Sequence, residues 1–379
     1  MAGIYIHIPF CKQACNYCNF HFSVSLANKE KIITALVKEI SLPQDFINTK
    51  NIDTVYFGGG TPSLLSETDL EQIFTALKNN FTLANDVEIT LEANPDDINK
   101  TQLTLWKSFG INRLSVGLQS FDEAELKWMN RAHNASQSLQ SIDEILAAGF
   151  TNFSVDLIYG SPLQTNEILK NNFEIIAQKN IPHISCYALT VENGTILNKQ
   201  IKAQKSLDVD TEKQAAQFQL LLELMEKHGY EQYEISNFSK PNYRSKHNSS
   251  YWQGKPYFGF GPSAHSYDGF ARRRWNVGNN SLYIQALEKN IIPYEEEILT
   301  KTQQLNEYIM TAIRTSEGIN IKKITSDFGE EISTKIILDA EKYLADEKII
   351  ITEKNITLTK KGKFFADGIA ADLFRPKDF

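Results

Sequence analysis

Three of the four cysteines in the chain fall within eight residues, Cys11-Lys12-Gln13-Ala14-Cys15-Asn16-Tyr17-Cys18. Three thiols this close do not form a disulfide framework, because one is always left over. They read as a metal site. Three thiolates can hold three irons of a cubic 4Fe–4S cluster and leave the fourth iron open to a substrate or cofactor. The alternative on these residues alone is a structural zinc, with Cys11, Cys15, Cys18 and the following His21 as a tetrahedral set. The residues before the loop, Gly3-Ile4-Tyr5-Ile6-His7-Ile8, alternate and are rich in β-branched side chains, so they predict a strand. The cysteines then sit at a strand's C-terminal end, where barrel-type α/β proteins carry their chemistry.

The pattern downstream repeats this arrangement. Apolar residues at helical spacing (Ile32, Ile33, Leu36, Val37, Ile40) predict a helix over 28–40. Strands are predicted over 53–57, 87–92, 113–117, 153–158 and 183–188. Helices are predicted over 66–77, 100–109, 122–131, 136–148 and 167–178, the first of these with Ser66 as N-cap. Strands alternating with helices imply a parallel sheet. Six βα units fall short of the eight that close a barrel. The expected fold class is therefore α/β, with a partial (β/α)6 barrel over residues 1–195.

Beyond Gly194 the alternation breaks. A long amphipathic helix is predicted over 210–228 and a strand over 231–235, and 237–280 reads as loop-rich and aromatic. Residues 196–300 are thus expected to form a loop-rich connecting region. From about residue 302 the order is three helices, two short strands and a last helix, an α+β domain over 301–379 with a winged-helix-like end. A winged helix suggests nucleic acid, but this segment carries 13 Lys/Arg against 13 Asp/Glu, without the basic footprint of a DNA reader. No nucleic-acid partner is expected.

Composition agrees. The net charge of −7 gives no general attraction to nucleic acid or an anionic membrane. No apolar run approaches a membrane span, and the first residues lack the pattern of a secretory signal. Clustered thiols call for a reducing compartment, so a cytoplasmic location is expected. The remaining cysteine, Cys186, lies in an apolar run as a small buried hydrophobe.

The ends of the predicted strands gather further candidates. After the second strand comes Gly58-Gly59-Gly60-Thr61, whose backbone can approach a ligand closely. Glu92 ends the third strand, Gln119 follows the fourth, and Asp156 lies late in the fifth. Such carboxylates can take an ammonium or ribose hydroxyls, and the guanidinium of Arg131 can clamp a carboxylate.

CKQACNYC after a first strand and GGGTP after a second resemble the radical S-adenosylmethionine (SAM) superfamily. Within it, the strings IYIHIPFC, YFGGGTP, EANPD, RLSVGLQSF, DLIYGSP and GYEQYEISNF are similar to the anaerobic coproporphyrinogen III oxidase-like branch over nearly the whole chain. The resemblance implies a 4Fe–4S cluster on Cys11, Cys15 and Cys18 rather than zinc. It implies SAM held by Tyr5, Tyr17, Gly59, Gly60, Thr61, Glu92, Gln119, Arg131 and Asp156. In catalytic members an electron from the cluster cleaves SAM to a 5′-deoxyadenosyl radical. True oxidases carry a further cysteine two residues after the third, where this chain has Phe20. His247-Asn248-Ser249-Ser250-Tyr251-Trp252 resembles the HNxxYW string of the HemW-type heme chaperones.

The resemblance therefore implies a protein that binds heme and delivers it to apo-hemoproteins. Decarboxylation of coproporphyrinogen III to protoporphyrinogen IX is the alternative, and catalytic residues are not assigned. The resemblance also admits a homodimer and a peripheral membrane contact made through clients. His247 is the expected heme ligand, with Tyr251 and Trp252 able to pack on a porphyrin. His265 and His133 compete for that role, and Arg272, Arg273 and Arg274 are candidates for the propionates.

Overall fold

A computed structural model describes residues 1–376. The βα units come in the expected order: β1 (Ala2–Ile8), α1 (Lys29–Ser41), β2 (Asn51–Gly59), α2 (Glu67–Asn80), β3 (Thr82–Ala93), α3 (Lys100–Ser108) and β4 (Arg113–Gln119). They continue with α4 (Glu123–Trp128), α5 (Ala135–Ala147), β5 (Phe153–Tyr159), α6 (Asn166–Gln178) and β6 (His183–Ala188). These six strands are mutually parallel and adjacent in sequence order, an open barrel wall with the helices outside. Local chemistry fixes the helix starts. Ser66 caps α2 in a capping box with Asp69, and Asn134 does the same for α5 with Gln137.

The next segment departs from the expectation of a loop-rich connection. It holds α7 (Ile196–Lys202), α8 (Thr211–Lys227), β7 (Glu231–Gln232), β8 (Asn237–Ser239), α9 (Lys246–Trp252), β9 (Tyr257–Phe260), β10 (His265–Tyr267), β11 (Arg272–Asn276), α10 (Asn280–Glu288) and β12 (Tyr294–Ile298). β9 pairs parallel to β1, and β10, β11 and β12 extend the sheet antiparallel beyond it. β8 and β7 close the other edge on β6, giving one sheet of twelve strands. These strands are short, and the pairings that join them to the barrel, β9 to β1 and β8 to β6, span long stretches of sequence, so local periodicity does not reveal them.

The last segment runs α11 (Lys301–Ile313), β13 (Ile319–Asn320), α12 (Ile321–Phe328), α13 (Glu330–Ala345), β14 (Ile349–Ile351), β15 (Asn355–Leu358) and α14 (Ala366–Leu373). Helix, strand, two helices and two strands is the order of a winged helix. Its three strands form a separate sheet, and its core is a cluster of its own around Leu305, Ile309, Ile336 and Ile356.

The period of two along β1–β6 divides the barrel wall into two faces. Ile4, Ile6, Ile8, Val55, Phe57, Leu91, Leu114, Val116, Val155 and Ile184 face the helices and are buried in the main core. The intervening residues face inward: Tyr5 and His7, Thr54 and Tyr56, Glu88, Thr90 and Glu92, Arg113 and Ser115, Ser154 and Asp156, His183 and Ser185. Parallel strands covered on both faces by helices are usually apolar throughout. A polar concave face instead marks a lumen that takes up polar groups, α9 among them at Thr54 and Glu88.

Candidate functional site

The cysteine loop crosses the mouth of this lumen and is fastened to the turns of three other strands. From the β2 turn, the Gly60 amide donates to the Ile8 carbonyl (2.8 Å) and the Thr61 amide to the Phe10 carbonyl (2.7 Å). Beyond β4, the Asn16 amide donates to the Met129 carbonyl (3.1 Å), and the Asn130 side chain donates to the Ala14 carbonyl (2.7 Å). Beyond β6, the Leu197 amide donates to the Asn16 carbonyl (2.7 Å). The glycines are required by this closeness. A Cβ at Gly60 would lie 2.5 Å from the Phe10 carbonyl oxygen, and Gly59 has φ +104° with His7 2.6 Å from where its Cβ would be.

The three thiols lie close enough to influence one another's ionisation. Burial raises the pKa of Cys11 to about 11 and raises that of Cys18, and each neighbouring thiolate adds to the rise. Arg131 Nη1 donates to Cys15 Sγ at 3.2 Å, and Nη2 donates to the Asn94 side chain and the Gly117 carbonyl, both at 2.8 Å. Tyr17 stands against Cys15 and Arg131, and the Thr61 side chain hydrogen-bonds Cys11. His21, which a zinc site would need as its fourth ligand, is turned away. Its Nε2 meets Asn280 Oδ1 at 2.8 Å, and its carbonyl accepts from His7 Nε2 at 2.8 Å. Among the described residues no three such side chains gather tightly enough for a single metal ion.

Deeper in the lumen, the Tyr56 hydroxyl donates to Glu92 at 2.8 Å. Burial raises Glu92 to about 7, with the nearby Asp156 charge adding, and burial raises Asp156 to about 6. Gln119 is held at φ +64°, an uncommon conformation for a residue with a side chain, and its Oε1 has no partner. Arg131 Nε is also buried without one. Unsatisfied buried donors and acceptors around raised carboxyls are what a polar ligand would complete. The residues present fit both cofactors: thiols for an iron–sulfur cluster, and a guanidinium, an amide and two carboxyls for an amino-acid nucleotide such as SAM.

The structure thus gathers Cys11, Cys15, Cys18, Tyr5, Tyr17, Gly59, Gly60, Thr61, Glu92, Gln119, Arg131 and Asp156 at one mouth. It also brings in residues that sequence reasoning passed over: His7, whose Nδ1 meets the Tyr5 hydroxyl at 3.2 Å, Tyr56, Asn94 and Asn130. The polar half of the strand alternation was the available signal for His7 and Tyr56.

His247 lies elsewhere. It is 1% exposed, on α9 beneath the lumen, and its amide donates to Glu88. Its Nδ1 meets Thr54 Oγ1 at 2.8 Å, its Nε2 meets the Tyr251 hydroxyl at 2.8 Å, and Tyr56 stacks on its ring at 5.0 Å. Both ring nitrogens of the residue expected as heme ligand are thus hydrogen-bonded within the protein, to Thr54 and Tyr251. The buried His133 is bonded to the Leu118 carbonyl (3.1 Å). Arg272 and Arg274 pair with Glu296, and Arg273 with Glu307.

Comparison with known proteins agrees with this architecture. Residues 5–176 match the radical SAM superfamily, and residues 299–365 match the HemN C-terminal domain. The heme chaperone HemW of Lactococcus lactis is 34% identical, covering 96% of this chain and 97% of that one. The heme chaperone HemW of Bacillus subtilis is 33% identical, covering 97% and 98%. The mitochondrial radical S-adenosyl methionine domain-containing protein 1 of Danio rerio is 32% identical over 84% of this chain and 74% of its own. The structure of Escherichia coli coproporphyrinogen III oxidase HemN, a radical SAM enzyme, superposes with a TM-score of 0.85 at 22% identity, covering 98% of this chain and 90% of that one, and shows the fold. The chain belongs to the radical SAM superfamily and, within it, to the family of the heme chaperone HemW.

Proposed function

We propose that this protein is a heme chaperone that takes up heme and passes it to apo-hemoproteins. The observation that carries the reading is full-length similarity to heme chaperones at 33–34% identity, joined to a barrel mouth built for the cofactors of the superfamily. When bound, a 4Fe–4S cluster and SAM supply one-electron chemistry at that mouth. Cys11, Cys15 and Cys18 ligate three irons. Arg131 clamps the SAM carboxylate, Glu92 takes its ammonium and Asp156 the ribose hydroxyls, while Tyr5, Tyr17, Gly59, Gly60, Thr61 and Gln119 shape the pocket. An ammonium beside Glu92 lowers its raised pKa, so the carboxyl is ionised when the pocket is filled.

Phe20 bears on the oxidase alternative. It is 68% exposed beside the cysteine loop, where a true oxidase carries another cysteine. Anaerobically reconstituted protein incubated with SAM, reductant and coproporphyrinogen is expected to yield no protoporphyrinogen beyond background. Catalytic turnover there overturns the chaperone-only reading. Heme titration followed by transfer to an apo-hemoprotein tests the chaperone directly. The reading places the protein in the cytoplasm. Among the described residues no helix is long and apolar enough to cross a membrane; the reading assigns peripheral membrane contact to the clients. Size-exclusion mass with and without the cluster tests whether it works as a homodimer. The winged-helix unit, lacking net positive charge, is assigned to protein rather than nucleic-acid contact.

A further inference from the structure

The end of the lumen opposite the cysteine loop holds a charge that no side chain meets. Arg113 opens β4 and is fully buried, and among the described residues its Nε, Nη1 and Nη2 have no hydrogen-bond partner. A guanidinium does not give up its proton inside a protein, so each of its N–H donors and its full positive charge must be met where they stand. Buried polar groups are nearly always bonded, and a buried charge without a counterpart is the costliest exception.

The surroundings offer donors rather than a counter-charge. Thr90 of β3 is the register partner of Arg113, and its buried Oγ1 has no partner among the described residues. His183 opens β6 and pairs in register with Ser239 of β8, whose Oγ is likewise unpartnered. The Tyr233 hydroxyl accepts from the Ser245 amide and meets His183 Nε2 at 2.7 Å. Its own proton therefore points to Nε2, which leaves the proton of the neutral imidazole on Nδ1, one more buried donor without a partner. The Arg113 charge acts on His183, His247, Tyr56, Tyr233 and Asp156, which puts the guanidinium in the middle of this floor. Burial and that charge hold both histidines below the ordinary range, so neither is cationic. The nearby carboxylates are committed elsewhere. Asp156 bonds Ser185 and Ser115, and Glu88 takes the amides of Lys246 (3.1 Å) and His247 (3.0 Å). Asn237 Oδ1, an unpartnered acceptor without charge, lies one register step nearer the mouth, opposite Ser185.

We propose that the floor of the lumen binds a small monovalent anion, chloride, on Arg113, with His183 Nδ1, Thr90 Oγ1 and Ser239 Oγ as its further donors. Enclosure sets the size. Arg113, Thr90, His183 and Ser239 are all fully buried, and α9 covers this end through Glu88 and Thr54, so a phosphate ester or a porphyrin carboxylate on its large scaffold does not reach them. The ion links the β3–β4 pair to the β6–β8 pair across a barrel that backbone pairing leaves open. The assignment does not depend on the heme-chaperone reading.

The test is thermal unfolding of the reconstituted full-length protein at fixed ionic strength, as sodium chloride replaces sodium gluconate. The wild-type midpoint is expected to rise with chloride by mass action. Arg113→Met should lose that rise. Thr90→Val, which keeps the shape and removes one hydroxyl, should need roughly 3–10-fold more chloride for the same rise. Crystals grown with sodium bromide should show an anomalous difference peak between Arg113 and His183. A wild-type midpoint that ignores chloride, or a bromide map without a peak at Arg113, overturns the assignment and leaves water on the guanidinium. A chloride-dependent rise that survives in Arg113→Met overturns it too, by placing the ion elsewhere. Should Arg113→Met fail to fold, the wild-type titration and the bromide map decide on their own.

Discussion

Glu39 on α1 is buried and faces the segment that carries β9–β12. It accepts from the Gly261 amide (2.8 Å), from Asn276 Nδ2 (2.6 Å) and from the Tyr283 hydroxyl (2.5 Å). One carboxyl thus fastens the end of β9, the end of β11 and α10 to the first helix of the barrel. Burial raises its pKa from the ordinary 4.5 to about 7, against the lowering effect of the three donors. At about 1.4 kcal/mol per pH unit that rise is worth about 3 kcal/mol. The sign follows from linkage. The folded state holds the proton more tightly than the unfolded chain, so the contribution is complete below pH 4.5 and is lost as pH rises to about 7. Other raised carboxyls add to the wild-type slope, so the informative quantity is wild type minus Glu39→Gln. Urea denaturation of the apoprotein, followed by tryptophan fluorescence, isolates the right unit. All four tryptophans (Trp106, Trp128, Trp252 and Trp275) lie outside the C-terminal winged-helix unit. The stability advantage of wild type over the variant should shrink by about 3 kcal/mol between pH 4.5 and 7.5. A difference that stays constant across that range would show that Glu39 ionises in the fold as it does in the unfolded chain, and would refute the argument.

Three further outcomes follow from the mouth of the barrel. Replacing Cys11, Cys15 and Cys18 together by alanine should abolish iron and inorganic sulfide in anaerobic preparations while leaving the far-ultraviolet circular dichroism unchanged; retained metal contradicts the ligand assignment. Gly60→Ala pushes a methyl into the Phe10 carbonyl and should cost about 1–3 kcal/mol, with reduced cluster loading read by iron content. Arg131→Ala removes a charge-assisted clamp of about 1.5–3 kcal/mol, so SAM binding to the reconstituted protein, measured by equilibrium dialysis, should weaken by roughly 10–100-fold.

The barrel was legible in the sequence because each of its units carries its own local signal. Strand alternation, helical spacing and the Ser66 cap appear within a few residues of one another, and the strand-end residues follow from the strands. The segment after Gly194 was not legible in the same way. β9 reads Tyr-Phe-Gly-Phe, whose glycine looks like a turn until Tyr5 is known to lie beside it. The same limit governs His247. A histidine followed by aromatics suggests a ligand, and only the tertiary contacts reveal that Thr54 and Tyr251 occupy its nitrogens.

The anchoring of the cysteine loop has a consequence for biosynthesis. A ribosome makes the three thiols well before their supports: Met129 and Asn130, then Leu197. Long-range contacts form only after the intervening chain has emerged and closed. Until translation has passed Leu197, the sulfurs lack the walls that later shield them, open to oxygen and stray metal. Iron loading is thus a late event in the life of the polypeptide, and the speed of barrel closure sets how long the nascent protein stays vulnerable.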